Sequence, residues 1–230
     1  MAAPGPDAAP PTPDPPGTYM GRTIAATMSH LGAPWLVRPE REREENTRAL
    51  IRALRLQPGD TACDLGAGNG YHALRMAAAV GATGRVIASD LQPEMLEALR
   101  ARATAAGVLV VDTVLATERN PKLPAGACDV VLMVDVYHEL SDPAAVLARI
   151  RPSLSPRGHI ALVEFRAEDP AVPIKPLHKM SKAQILREYE ANDYRLTRAF
   201  DALPWQHLMF FAPNGRASED DNLNSGAGTR

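Results

Sequence analysis

The chain has 230 residues, is 45% apolar by composition and carries a formal net charge of −2. That length supports one sizeable core plus tails, and the near balance of 25 basic against 27 acidic residues supplies no general field for DNA or RNA. No stretch reaches the length of a membrane-spanning helix and the start lacks the basic and apolar regions of a signal peptide. A soluble cytoplasmic protein is therefore expected, with an unusual leader in the Ala/Pro-rich opening as the alternative.

Residues 1–18 carry proline after proline and almost no large apolar side chain, so they cannot offset chain entropy by burial; a disordered tail is expected. Ile24, Met28 and Leu31 fall at i, i+4 and i+7, which predicts a short amphipathic helix between Gly21 and Leu31. Pro39 can open a second helix. Its first turns are crowded with Glu40, Arg41, Glu42, Arg43, Glu44 and Glu45, read as a solvated face, and its later turns bury Leu50, Ile51 and Leu54. Gln57-Pro58-Gly59-Asp60 ends it.

From there strands near 61–65, 85–89, 109–115, 129–134 and 159–165 alternate with helices over 70–80, 93–106 and 143–151. Alternation with continuously apolar strands predicts an α/β fold, a buried parallel sheet with helices on both faces. The most apolar strand, Val130–Val134, belongs at its centre beside 61–65. Cys63 and Cys128 lie in such apolar runs and read as buried free thiols, not as a disulfide or metal ligands. A helix over 181–190 precedes two runs, 194–198 and 206–211, split by Leu203-Pro204. After Pro213 no core-forming pattern remains.

The segment Asp64-Leu65-Gly66-Ala67-Gly68-Asn69-Gly70 sits between the first strand and its helix. Glycines there can take positive φ and let a ligand approach bare backbone beside unpaired helix N–H groups. Asp90 closes the next strand, at the distance where a βαβ unit puts a carboxylate beside a ribose. An adenosine-containing ligand follows. The dinucleotide pattern G-x-G-x-x-G fails, because Tyr71 takes the third glycine's place and Gly70 comes one residue early. Asp64 would also repel a pyrophosphate.

D-x-G-x-G-x-G instead resembles motif I of the class I S-adenosylmethionine-dependent methyltransferases, and Asp90 resembles their ribose-binding acid. The resemblance covers roughly residues 19–212. It implies a Rossmann-like seven-stranded, mostly parallel sheet whose last strand inserts antiparallel, and S-adenosyl-L-methionine as cofactor. It divides the chain into a tail over 1–18, an N-terminal helical lid over 19–57, a methyltransferase core over 58–212 and a tail over 213–230. Cofactor contacts are implied at Asp64, Gly66, Ala67, Gly68, Gly70, Asp90 and at Leu91 beside the adenine. Thr117 and Glu118 stand where such enzymes meet the adenine edge, or are surface-turn residues. Asp135-Val136-Tyr137-His138-Glu139 resembles the motif IV region, with Asp135 and Glu139 in place of the commoner Asn and second His.

This loop should face the reactive methyl, which makes Asp135 a further cofactor contact and His138 the first choice for general base. The alternative for His138 is a packing role beneath the cofactor. Tyr137, Glu164, His178 and Trp35 are candidate substrate contacts. Against that, Glu164 could belong to a salt-bridged loop, His178 could cap the helix begun by Ser181, and Trp35 could anchor the two early helices. No metal-ligand spacing is present, so no metal is expected. The acceptor is expected to be a small molecule, with a protein side chain second; the oligomeric state is not read from the sequence. A nicotinamide oxidoreductase and a non-catalytic cofactor-binding module are the competing classes.

Overall fold

Every strand expected from the apolar runs joins one sheet in the computed structural model, which describes residues 14–215. The expected tails thus lie almost wholly outside the described residues. In chain order the elements are β1 (Thr18–Tyr19), β2 (Arg22–Thr23), α1 (Arg41–Glu45), α2 (Thr47–Leu54), β3 (Thr61–Leu65), α3 (Ala73–Val80) and β4 (Arg85–Asp90). They continue with α4 (Pro93–Ala105), β5 (Val111–Leu115), β6 (Cys128–Val134), α5 (Pro143–Ile150) and β7 (Leu154–Arg166). The last are β8 (Lys179–Met180), α6 (Lys182–Ala191), β9 (Tyr194–Phe200) and β10 (Gln206–Pro213).

The sheet order is β5-β4-β3-β6-β7-β10-β9, with β10 antiparallel to both neighbours. The two-residue β8 adds to β7 and makes eight strands where seven were expected. Successive strand side chains point to opposite faces, so Val130 and Leu132 join a core with α2, α3 and Leu99, while Val131 and Met133 join one with α5 and α6. The order reverses between β3 and β6, and a crevice opens beyond the carboxyl ends of strands at such a point.

The amphipathic helix expected over Gly21–Leu31 does not form. Gly21, at φ 87°, closes a β1–β2 hairpin, and the next residues run extended because the core takes their backbone hydrogen bonds. Ala25 N–H donates to His138 O at 3.1 Å, Met28 N–H to Glu139 Oε2 at 3.4 Å and His30 N–H to Gln92 Oε1 at 2.7 Å. A 3₁₀ helix, His30–Val37, follows, and Leu31 is exposed. The expected second helix breaks at Asn46, which adopts φ 51° and accepts from Ala49 N–H to cap α2.

The charged run is not simply a solvated face. Arg41 and Glu45 are both buried and paired at 2.6 Å, and Glu45 also takes Arg38 at 2.8 Å. The i, i+4 spacing that makes the pair turns it inward, against Leu36 O and the Tyr71 ring.

The free-thiol reading is overturned as well. β3 and β6 are neighbours, and this pairing brings Cys63 and Cys128 into a disulfide with Cα atoms 5.9 Å apart. The sequence placed the two strands side by side but not in the register that brings the two sulfurs together. A buried disulfide is rare in a reducing cytosol, which sets it against the cytoplasmic expectation. Its closed loop spans a sequence separation of 65. The Cys63→Ala/Cys128→Ala variant should therefore lose about 4 kcal/mol of unfolding free energy in urea by the chain-entropy relation. Equal stability of variant and oxidised parent would contradict the crosslink.

Candidate active site

The turn after β3 is built by glycines with different tasks. Gly66, Gly68 and Gly70 have φ of 71°, 53° and 82°, where other residues are strained. A Cβ on Gly66 would lie 2.5 Å from Val136, and one on Gly68 would lie 2.8 Å from Leu36. Both glycines face the crevice, whereas Gly70 lets the turn pack on Leu99 of α4. Gly66 and Ala67 N–H both donate to Ser89 O, tying the turn to β4.

Asp90 is buried at the end of β4. Its Oδ2 accepts from Gly68 N–H at 2.8 Å and its Oδ1 from Gln92 N–H at 2.9 Å. Burial raises its pKa, and these N–H bonds oppose the rise. Each oxygen keeps a lone pair for a further donor, as two ribose hydroxyls would supply. Asp64 lies under the turn, off the crevice wall. Burial, with Asp90's charge second, lifts its pKa to about 7, and a bond from Ala73 N–H at the start of α3 works the other way.

The crevice is a cavity of about 560 Å³, inside the range for small-molecule sites. Leu91, Thr117 and Glu118 line one end. Thr117 also closes a turn with Asn120, so it lines the cavity from a surface turn. Thr27, Met28, Trp35 and Leu36 form the cover. Trp35 is no core anchor: it is 43% exposed at the rim, with the Arg38 guanidinium stacked 3.6 Å from its ring centroid.

Asp135, also on the wall, is held at φ 55°. Its Oδ2 accepts from Gln206 at 2.7 Å, and its buried Oδ1 has no partner among the described residues. Burial, then the charges of Glu45 and Glu164, push its pKa well up, with Arg41 opposing. An orphaned carboxyl oxygen of this kind suits a cationic ligand group. Arg41 reaches the same cavity and offers a cation to a ligand carboxylate.

At the far end stands His138. Its Nδ1 lies 2.6 Å from Glu164 Oε2, and its backbone N–H donates to Glu164 Oε1 at 3.2 Å. Glu164 is 0% exposed and reaches the cavity only through this imidazole. An ionised carboxylate accepts only, so Nδ1 carries the proton and Nε2 turns towards the cavity. Nε2 meets His178 Nδ1 at 3.0 Å. Burial resists charging of His138, but Glu164 outweighs it and the pKa rises. His178 is lowered by burial and by His138, and burial lifts Glu139 to about 7.

Of the residues expected at the substrate, Trp35 and His178 reach the cavity. His178 does not cap α6, where Ser181 Oγ itself accepts from Gln184 N–H. Tyr137 is fully buried against Tyr189 and lies off the wall, as do Ala67 and Gly70. Arg41, Gln92 and Glu139 were missed as site residues. The i, i+4 Arg41/Glu45 spacing was a readable signal for the first. Gln92, which also donates to Met28 O at 2.9 Å, had none beyond following Asp90.

Residues 62–158 match the methyltransferase domain family. An uncharacterised 37.1 kDa protein in a transposon of Streptomyces fradiae is 34% identical over 115 residues, 50% of this chain and 33% of that one. A protein-L-isoaspartate O-methyltransferase of Ignicoccus hospitalis is 29% identical over 102 residues, 44% and 47% of the two chains. The matches thus span a third to a half of these relatives. A crystal structure of a SAM-dependent methyltransferase from Aquifex aeolicus superposes with a TM-score of 0.76 at 22% identity, over 80% of this chain and 98% of that one. At that identity the likeness is one of fold.

Two outcomes test the site. Asp90→Ala, which removes two charged acceptor positions at about 1.5–3 kcal/mol each, should weaken S-adenosylhomocysteine binding in calorimetry at least about a hundredfold with unchanged circular dichroism. Asp64 should make the parent less stable as pH rises from about 4, where the unfolded chain ionises it, to about 7, where the folded chain does. Asp64→Asn should flatten that slope; equal slopes in urea titrations would contradict the buried acid.

Proposed function

We propose, of a chain that carries a class I S-adenosylmethionine-dependent methyltransferase domain, that it transfers a methyl group to a small-molecule acceptor inside the covered cavity. The observation that carries this is the cover itself. Residues 24–38 lie over the glycine turn, bonded to it where Asn69 Nδ2 donates to Ala33 O at 2.9 Å and anchored beside it by Gln92 and Glu139, and they place Met28, Trp35 and Leu36 against the cavity. A site partly covered in this way suits a metabolite better than a macromolecule, and limiting water favours the chemistry.

The residues fit the cofactor. Gly66 and Gly68 give bare backbone to it, Asp90 takes the ribose, and Leu91 with Thr117 and Glu118 flanks the adenine. Asp135 takes the ammonium and Arg41 the carboxylate of its methionine end. When bound, S-adenosylmethionine supplies an electrophilic sulfonium methyl. His138 then faces the acceptor side, with Glu164 fixing its tautomer so that Nε2 can take the acceptor's proton. Arg22, paired with the buried Glu188 at 2.7 Å and donating to His138 O at 3.1 Å, holds this loop from outside.

A protein side chain is the second reading, because the Ignicoccus hospitalis relative is named for an isoaspartate acceptor. Incubating the protein with methyl-labelled cofactor and a cell extract separates the two. Label in the low-mass fraction supports the proposal, and label on protein supports the second. Tight NAD binding with none for S-adenosylhomocysteine would overturn both. His138→Ala should lower kcat by about 10²–10⁴ while S-adenosylhomocysteine affinity stays within about twofold; unchanged turnover would remove His138 from the reaction.

A further inference from the structure

Three side chains converge at the acceptor end of the cavity from two separate connections. His138 and Glu139 lie in the short 3₁₀ turn Tyr137–Glu139 after β6, and His178 ends another, Pro176–His178, between β7 and β8. His138 Nε2 and His178 Nδ1 are 3.0 Å apart, and Glu139 Oε1 lies 3.9 Å from the first and 3.8 Å from the second. We propose that His138, Glu139 and His178 form a binding site for a divalent transition-metal ion of the zinc type. The proposal rests on the methyl-transfer reading above only for what the ion does, not for its binding.

The geometry separates a metal site from an ordinary polar cluster. Hydrogen bonding accounts for the two imidazoles, but the carboxylate oxygen is too far from either ring nitrogen for a hydrogen bond. The same three distances suit a common centre. The circle through the three atoms has a radius of about 2.1 Å, so an ion at zinc-bond length from all three would lie in their plane, and a small inward shift of Glu139 would raise it to the tetrahedral arrangement.

The supporting contacts are also those a ligand set needs. Glu164, wholly buried, takes the Nδ1 proton of His138, which leaves Nε2 as the donor atom and fixes the ring as a carboxylate–histidine–metal arrangement does. Glu139 is steadied through its other oxygen by Met28 N–H, so Oε1 remains for the ion.

Ligand chemistry selects the ion. Magnesium and calcium prefer all-oxygen shells, whereas two imidazoles and one carboxylate suit zinc, cobalt, manganese or iron. Three protein ligands and one open side is the pattern of a catalytic, not a structural, zinc site. All three residues line the cavity, so the open side faces it. There the ion, holding His138 Nε2 as a ligand and so replacing it as the group that activates the acceptor, would bind the oxygen or sulfur of a hydroxyl or thiol and lower its pKa, the proton passing to solvent. This narrows the acceptor class to hydroxyls and thiols.

The test uses the full chain, stripped with a chelator, dialysed and titrated with Zn²⁺ in a calorimeter, with S-adenosylhomocysteine titrated in parallel. One Zn²⁺ per chain is expected. Co²⁺ should give visible d–d absorption of a low-symmetry, four- or five-coordinate site. His178→Ala and Glu139→Gln should each weaken Zn²⁺ by more than the roughly 10–100-fold typical of an outer-shell change, and Glu164→Gln by about that outer-shell amount. His207→Ala, on β10 and paired with Glu168, should leave it unchanged. Absence of Zn²⁺ binding, or binding that survives His138→Ala and His178→Ala, would overturn the metal site. If S-adenosylhomocysteine still binds in that event, the methyl-transfer reading stands; if it does not, that reading fails separately.

Discussion

Five carboxyl groups, Asp64, Asp90, Asp135, Glu139 and Glu164, are gathered under or around a single cavity, and keeping that much acid away from water constrains the rest of the structure. Removing one ionised carboxylate from water costs several kcal/mol unless partners compensate. Here the partners come from every layer. Backbone N–H groups serve Asp90, Gln206 serves Asp135, and an imidazole serves Glu164. The compensation is incomplete at Asp135 Oδ1 and at Glu139 Oε1. Both residues line the cavity, Asp135 with its Oδ1 sealed and unpartnered among the described residues and Glu139 with its Oε1 3.8–3.9 Å from the two imidazoles, and burial has lifted the pKa of each acid. The cavity is thus electrostatically tuned for positive charge at two points, one by the glycine turn and one by the histidines.

The N-terminal segment answers to the same constraint. Left to its own periodicity it would form a helix, yet its backbone donors go to His138 O, Glu139 and Gln92. These are loop groups with no sheet partner of their own. Spending the segment's hydrogen bonds there covers the cavity and steadies the loop that carries the histidines. Arg41 and Glu45 extend the cover inward as a buried pair, while Arg22 and Glu188 clasp it to α6. The lid and the active-site loop are therefore one hydrogen-bonded unit.

The sheet supplies the rigid frame. β3 and β6 lie side by side at the reversal of strand order, crosslinked through Cys63 and Cys128, and their carboxyl ends carry the glycine turn and Asp135. Gly66 lets these two ends approach until a single Cβ would strike Val136. Separation of the strands would widen the cavity floor and release the left-handed backbone at Asp135 at once.

Periodicity and motif spacing were enough for much of this. Continuous apolar runs can be satisfied only between two helical layers, so β3, β4, β6 and β10 were readable with their approximate limits. The turn from Asp64 to Gly70, with the Asp90 carboxylate beside it, was readable as a glycine turn between strand and helix, because glycine geometry and one carboxylate act over a short stretch of chain. Tertiary structure decided what depends on contacts between distant segments. Cys63 meets Cys128 only because β3 pairs with β6, and the helix expected at Gly21 is lost because core groups compete for its donors. Arg41 turns inward only because Glu45, Leu36 and Tyr71 enclose it. His178 lies 40 residues along the chain from His138, and the two share no spacing motif. Local sequence determines local backbone and the faces it buries; which buried polar groups meet is determined by packing, because those meetings have no period to read.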